Sequence, residues 1–230
     1  MKIVDTFYAI DFDRTLGDVN ANFDLLANYL HEHGVMDKDE LMAHRKAEEA
    51  RGESFSVLGY LRRHHSDTLD YEKFARGYQI VAAEHPGSLL IPGALEFLQW
   101  LEESGRAYGV VSYGNRDWQT LKIEASGLAA IPRIIVDTPR KSELFQSWQQ
   151  PDGTFHLPRQ LARGGSEIAA KTLVLIDDKL SAFDAMPPGE RGYCLRTWSQ
   201  QKDVPAMLPE KIVMVDSFDE IRAFEAEEAQ

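Results

Sequence analysis

The sequence predicts an α/β fold, a Rossmann-like and mostly parallel sheet with helices on both faces, together with an inserted helical domain. Three observations lead there. Short β-prone runs alternate with amphipathic helical stretches beyond Pro92. The interval 17–86 reads as helical throughout. Acidic and hydroxyl residues recur just after the β-prone runs, at the carboxyl ends where open α/β sheets bind ligands.

Residues 6–10 form a strand because Phe7, Tyr8 and Ile10 are aromatic or β-branched in a run too brief for a helix. Beyond Leu16 the period changes. Phe23, Leu26, Ala27 and Leu30 fall at i, i+3, i+4 and i+7, one apolar helix face, and Gly34 closes that helix. A charged segment, 38–51, precedes a second helix marked by Phe55, Leu58 and Leu61. Tyr71, Phe74, Ala75 and Tyr78 mark a third, which His85-Pro86-Gly87 ends. The expected boundaries are therefore 1–16 and 87–230 for the α/β core and 17–86 for the helical domain. Pro92 opens a helix whose face is Ala94, Phe97, Leu98 and Leu101, and Ser104-Gly105 stops it. Residues 108–111 are a buried strand ending at Ser112. A helix over 117–125 and strands at 133–136, 172–176, 193–195 and 212–215 continue the alternation. Asp152-Gly153, between β-prone runs at 145–148 and 154–157, predicts a hairpin turn.

Composition excludes several function classes. A chain of 230 residues is long enough for a large core plus an insertion. Its net charge of −12 argues against a nucleic-acid polymer or an anionic membrane as partner, since both are met by basic surfaces. No apolar run approaches the length of a bilayer span, and residues 1–5 turn polar too early for a signal peptide, so the expectation is a cytoplasmic chain with no membrane partner. The single cysteine, Cys194, cannot form an internal disulfide and reads as a buried, inert thiol. No internal repeat or low-complexity segment is evident.

Asp11 and Asp13 stand two apart where the first strand ends, so both carboxylates project to one side of an extended backbone, and Thr15 adds a hydroxyl. An Asp-x-Asp pair alone also occurs in structural metal sites, in nucleotide-sugar sites and in ordinary loops. Other strand ends add Ser112, Asp137 with Lys141 just beyond, and Asp177-Asp178. Phosphoryl transfer needs this combination: an anionic nucleophile, a hydroxyl donor, a cation for phosphate oxygens and carboxylates for Mg²⁺. Taken singly, Ser112 could cap the following helix, Lys141 could be a solvated lysine and Asp177-Asp178 an N-cap pair. Their joint occurrence at four strand ends favours the chemistry.

In these residues the chain resembles the haloacid dehalogenase (HAD) superfamily of phosphohydrolases with a C1-type helical cap, over nearly its whole length. Asp11-Phe12-Asp13-Arg14-Thr15 matches the first motif, Val110-Val111-Ser112 followed by Asn115 the second, Lys141 the third and Asp177-Asp178 the fourth. The helical interval after Leu16 sits where such a cap is inserted. The resemblance implies Mg²⁺-dependent hydrolysis of a small phosphorylated metabolite, a phosphomonoester, through an aspartyl-phosphate on Asp11. Asp13 would be the general acid and base, and Ser112 and Lys141 would complete the catalytic set. Asp11, the Asp13 backbone carbonyl and Asp177 or Asp178 would hold Mg²⁺. Thr15, Asn115 and, from the cap, Arg62 would contact substrate. Asp13 separates the pattern from the dehalogenases of the superfamily, which resemble it without the second Asp or Mg²⁺. A sugar phosphomutase on the same site and a non-catalytic binding module of this fold are the alternatives, and the module has no use for Asp13. A response-regulator receiver is excluded by the order of its acidic residues.

The chain departs from the pattern in three places. Asp184 lies farther from Asp177-Asp178 than the usual additional acid. Arg14 occupies a position commonly held by a small or polar residue, and the expectation is that it points outward. Lys171 precedes its strand and Lys179 follows Asp178, which leaves Lys141 as the expected cation. In the cap, Arg62-Arg63-His64-His65 and Arg76 could meet an anionic substrate or simply face solvent.

Overall fold

The computed structural model describes residues 1–51, 55–65, 70–85, 87–165, 167–196 and 211–227. Its sheet comprises β1 (Lys2–Ile10), β2 (Ala107–Tyr113), β3 (Arg133–Val136), β4 (Phe155–Leu157), β5 (Ile168–Asp177), β6 (Glu190–Leu195) and β7 (Ile212–Val215). The strand order is β3-β2-β1-β5-β6-β7, with β4 paired to β5 alone. Every ladder is parallel except β4–β5. The predicted α/β class holds, and the four apolar residues 7–10 of β1 are buried because both faces of a parallel sheet are covered. From β1 the order runs to β2 on one side and to β5 on the other, the reversal point at which such sheets open a crevice. Ile10 is level with Val110 and with Ile176, so Asp11, Ser112 and Asp177 all leave the sheet at its carboxyl edge.

The chain divides into two compact units. The first contains Met1–Leu16, Ile91–Tyr113 and Ala130–Gln230, the second Gly17–Leu90 and Gly114–Ala129. The first unit adds to the strands α5 (Ala94–Glu103), α7 (Lys141–Gln146) and α8 (Phe218–Glu227). Phe7, Ala9, Phe145, Phe155, Leu173 and Leu175 are among the residues of its core.

The second unit holds α1 (Val19–Glu32), α2 (Lys38–Ala50), α3 (Val57–His64), α4 (Tyr71–Ala83) and α6 (Arg116–Ala125). Leu26, Leu30, Leu41, Leu58 and Tyr78 make its core together with Trp118, Leu121 and Ala125 of α6. Asp18 caps α1 by accepting from the backbone N–H groups of Asn20 and Ala21, and Asp70 caps α4 by accepting from Lys73 N–H. The charged segment 38–51 is largely helical: Asp39 and Glu40 favour the positive end of the helix dipole, and Leu41 anchors the helix in the core. Periodicity groups 114–129 with the sheet, whereas the apolar face of α6 joins the helical core.

Elsewhere the elements differ from expectation in extent. β1 and β5 begin earlier than residues 6 and 172 because Lys2 to Val4 pair with Ile168 to Ala170. The turn at Asp152-Gly153 forms, with Gly153 at φ 86°, its N–H donating to Gln150 O at 2.9 Å and the Gln150 N–H donating to Thr154 O at 2.7 Å. Its first arm is not a strand, since Phe145 lies in α7, and β4 continues into a ladder with β5. Among the described residues no helix is long and apolar enough to cross a membrane.

Gly192 is required on packing grounds. A Cβ there would lie 2.2 Å from Cε1 and 2.6 Å from Cδ1 of Phe183, a buried side chain in the turn that follows the Asp177-Asp178 pair. Gly192→Ala is expected to cost about 1–3 kcal/mol, the range for overpacking a filled core. Urea unfolding checks it, and a loss within error of zero would mean that Phe183 repacks freely.

Candidate active site

Asp11 is fixed by its own backbone: its N–H donates to Ile176 O at 2.9 Å, tying the chain leaving β1 to the end of β5. The segment then folds back, with the N–H groups of Thr15 and Leu16 both donating to Phe12 O, at 3.2 and 3.0 Å. Arg14 makes this turn at φ 65°, a left-handed conformation that non-glycine residues seldom adopt.

Lys141, at the start of α7, reaches the same edge. Its Nζ donates to Asp11 Oδ1 at 2.5 Å and to Asp177 Oδ2 at 2.6 Å, and all three side chains are buried. Asp177 Oδ1 accepts from Lys179 N–H at 2.9 Å, which fixes the remaining oxygen. Carboxylate oxygens of Asp11, Asp177 and Asp178 lie within 4.8 Å of one another. Burial pushes the Asp11 carboxyl up to about 7, with Lys141 pulling it down and Asp177 and Asp178 pushing it further up. Asp178 is pushed up to about 6 by burial and by the Asp177 charge. Lys141 shows the complement: burial disfavours its charge, but Asp11 and Asp177 outweigh that and hold the ammonium above its usual range. One ammonium among three buried carboxylates leaves the cluster short of positive charge. An all-oxygen set of this kind fits a hard divalent cation such as Mg²⁺.

Two hydroxyls expected at the site, Ser112 Oγ and Thr15 Oγ1, are fully buried and have no hydrogen-bond partner among the described residues. Such groups are costly to leave unsatisfied and suit a ligand that accepts hydrogen bonds. Asp13 is half-buried, and its side chain is not in the carboxylate triad. Arg14 is half-buried, and its positive charge is among those that draw the Asp178 carboxyl down against burial. Lys171 pairs with Asp5 at 2.7 Å, and Asp184 is exposed, 4.0 Å from Arg140.

Two expected substrate residues lie in the helical unit, each with a partner there. Asn115 Oδ1 caps α6 by accepting from Trp118 N–H at 3.1 Å. Arg62 donates to Asp117 at 2.6 Å and stacks over Tyr71 at 4.2 Å, while Arg63 pairs with Glu48. Sequence reasoning missed Ser142 and Glu190, whose side chains meet at 2.6 Å beneath α7. Nothing in the sequence signals a contact between residues 48 positions apart.

No protein-family model and no curated protein matches the chain. Solved structures do. One, described as a haloacid dehalogenase-like hydrolase of Burkholderia xenovorans, has 22% identity and a TM-score of 0.64, over 98% of this chain and 99% of that one. Another, described as a HAD hydrolase of Bacillus subtilis bound to magnesium, has 16% identity and a TM-score of 0.50, over 97% and 99%. With correspondence over nearly the full length of both chains, the chain has the fold of the haloacid dehalogenase-like hydrolases.

Proposed function

We propose that the protein is a Mg²⁺-dependent phosphatase acting on a small phosphomonoester. The observation that carries this reading is the Lys141 ammonium held between Asp11 and Asp177 in a buried triad of carboxylates. Asp11, Asp177 and Asp178, with the Asp13 carbonyl, would hold the metal, which when bound supplies positive charge to the phosphate oxygens.

An Asp11 oxygen attacks phosphorus while the bond from phosphorus to the ester oxygen breaks, and Asp13 gives its proton to the departing alkoxide. A water then attacks the aspartyl-phosphate, Asp13 takes its proton, and the bond between phosphorus and Asp11 breaks to release phosphate. Proton transfer of this kind contributes about 10²–10⁴-fold in rate. Ser112, Thr15 and Lys141 donate to the phosphoryl oxygens, giving the two buried hydroxyls the acceptors they lack. The helical unit, read as the cap, would select the ester, with Asn115 and Arg62 as its polar contributions.

Phosphate release from a panel of small phosphomonoesters, measured with Mg²⁺ and again with EDTA, tests the proposal. Release that needs the metal is expected. Release undiminished by EDTA, or none from any ester, would overturn it.

A further inference from the structure

Helix α7 has six residues, the Arg140 side chain caps none of its backbone N–H groups, and its one bond to the helix is an exposed pair with Glu143, so little in the helix itself fixes its direction. Yet Lys141 depends on that direction to reach two carboxylates. Besides Phe145, which is buried in the core, α7 is held by Glu190 at the start of β6 and by the segment just before it. Ser142 Oγ, fully buried, donates to Glu190 Oε1 at 2.6 Å, and Gln146 Nε2 donates to Ala185 O at 2.6 Å. Glu190 is the first residue of β6, level with Leu173 of β5.

The Glu190 carboxyl is an expensive group to place here. It is 1% exposed, and its second oxygen has no hydrogen-bond partner among the described residues. Burial pushes it up to about 7, with the Ser142 hydrogen bond and the Lys211 charge pulling the other way. An apolar side chain would fill the space with less desolvation. What it would not do is hold the residue that follows Lys141.

We propose that Ser142 and Glu190 form a clamp that positions Lys141, fixing the first turn of α7 against β6 so that the ammonium stays between Asp11 and Asp177. Both are positioning residues, acting through Lys141. The clamp stands on geometry alone, and its part in turnover rests on the phosphatase reading.

Amine labelling of the full-length protein with an acetylating reagent, read at Lys141 by mass spectrometry, separates the two. Cys194 is buried four residues along β6 from Glu190, and its thiol reactivity reports whether the strand itself has opened. In Ser142→Ala, Lys141 acetylation is expected to rise by about tenfold or more, the lower end of what loss of a supporting hydrogen bond costs a site, while Cys194 stays protected. Glu190→Gln keeps an acceptor oxygen for Ser142 and is expected to label like the unmodified protein. Unchanged Lys141 labelling in Ser142→Ala would overturn the clamp, and so would a parallel rise at Cys194, which would mark a merely structural contact. With p-nitrophenyl phosphate and Mg²⁺, Ser142→Ala is expected to lower kcat by about tenfold with KM little changed. Absence of turnover of this and every ester of the panel by the unmodified protein would sink the phosphatase reading and leave the labelling result standing.

Discussion

Asp11→Asn is expected to lower Mg²⁺-dependent phosphate release by at least about 10⁴-fold while leaving the fold intact, the scale of loss seen when a covalent nucleophile is removed. The substitution is close to isosteric, so the backbone bond from Asp11 N–H to Ile176 O survives. The amide cannot form the aspartyl-phosphate. Stability should not suffer. The variant removes one negative charge from a site where the Asp177 and Asp178 charges push the Asp11 carboxyl up, and Lys141 keeps Asp177 as its partner. Urea unfolding and circular dichroism would therefore match or exceed those of the unmodified protein. A rate within tenfold of the original would end the covalent mechanism; lost rate accompanied by lost structure would point to Asp11 as a folding element instead.

The second large effect lies away from this site. Glu225, on α8, is buried and accepts hydrogen bonds from the hydroxyls of Tyr8 and Tyr193 and from the guanidinium groups of Arg191 and Arg106. Burial works against its charge, but the hydrogen bonds from Arg191 and Tyr8 and the Arg191 charge prevail, so its pKa falls below the usual carboxylate range. Glu225→Ala would take this anion from two partly buried guanidinium groups, and removal of one partner from such a network costs about 3–5 kcal/mol. Urea unfolding at neutral pH measures it. A depressed pKa means that the native state binds fewer protons than the unfolded chain. The contribution is therefore complete above the unfolded value near 4.5 and declines as pH falls through it. The gap between the two proteins should accordingly narrow in acid. A difference under about 1 kcal/mol at neutral pH would mean that the arginines find solvent at little cost.

Legibility in the sequence followed physical locality. The runs at 6–10 and 172–176 announce themselves because central parallel strands are apolar on both faces. Asp11, Ser112, Lys141 and Asp177-Asp178 could be found because each follows a strand end. The structure brings Asp11, Lys141, Asp177 and Asp178 together. Other elements had no such signal. Six residues are too few to display a helical period, so α7 was invisible around Lys141. Helix α8 buries Glu225 along with Phe218 and Ile221, and glutamate is a residue type whose usual place is the surface. Helix α2 is too strongly charged for one buried leucine to mark its face. Ser142 with Glu190, and Glu225 with its arginines, are pairings made by the tertiary fold, and no local pattern encodes them.

Helix α6 carries a consequence for how sequence can be exchanged. Because Trp118, Leu121 and Ala125 belong to the helical core, the chain passes between units four times, at 16/17, 90/91, 113/114 and 129/130. A helical unit transplanted as residues 17–90 alone would arrive without those three side chains, its apolar interior bare where they had packed. The module that recombination or design can swap intact is therefore two segments of sequence, 17–90 and 114–129, and a crossover that separates them breaks a shared core.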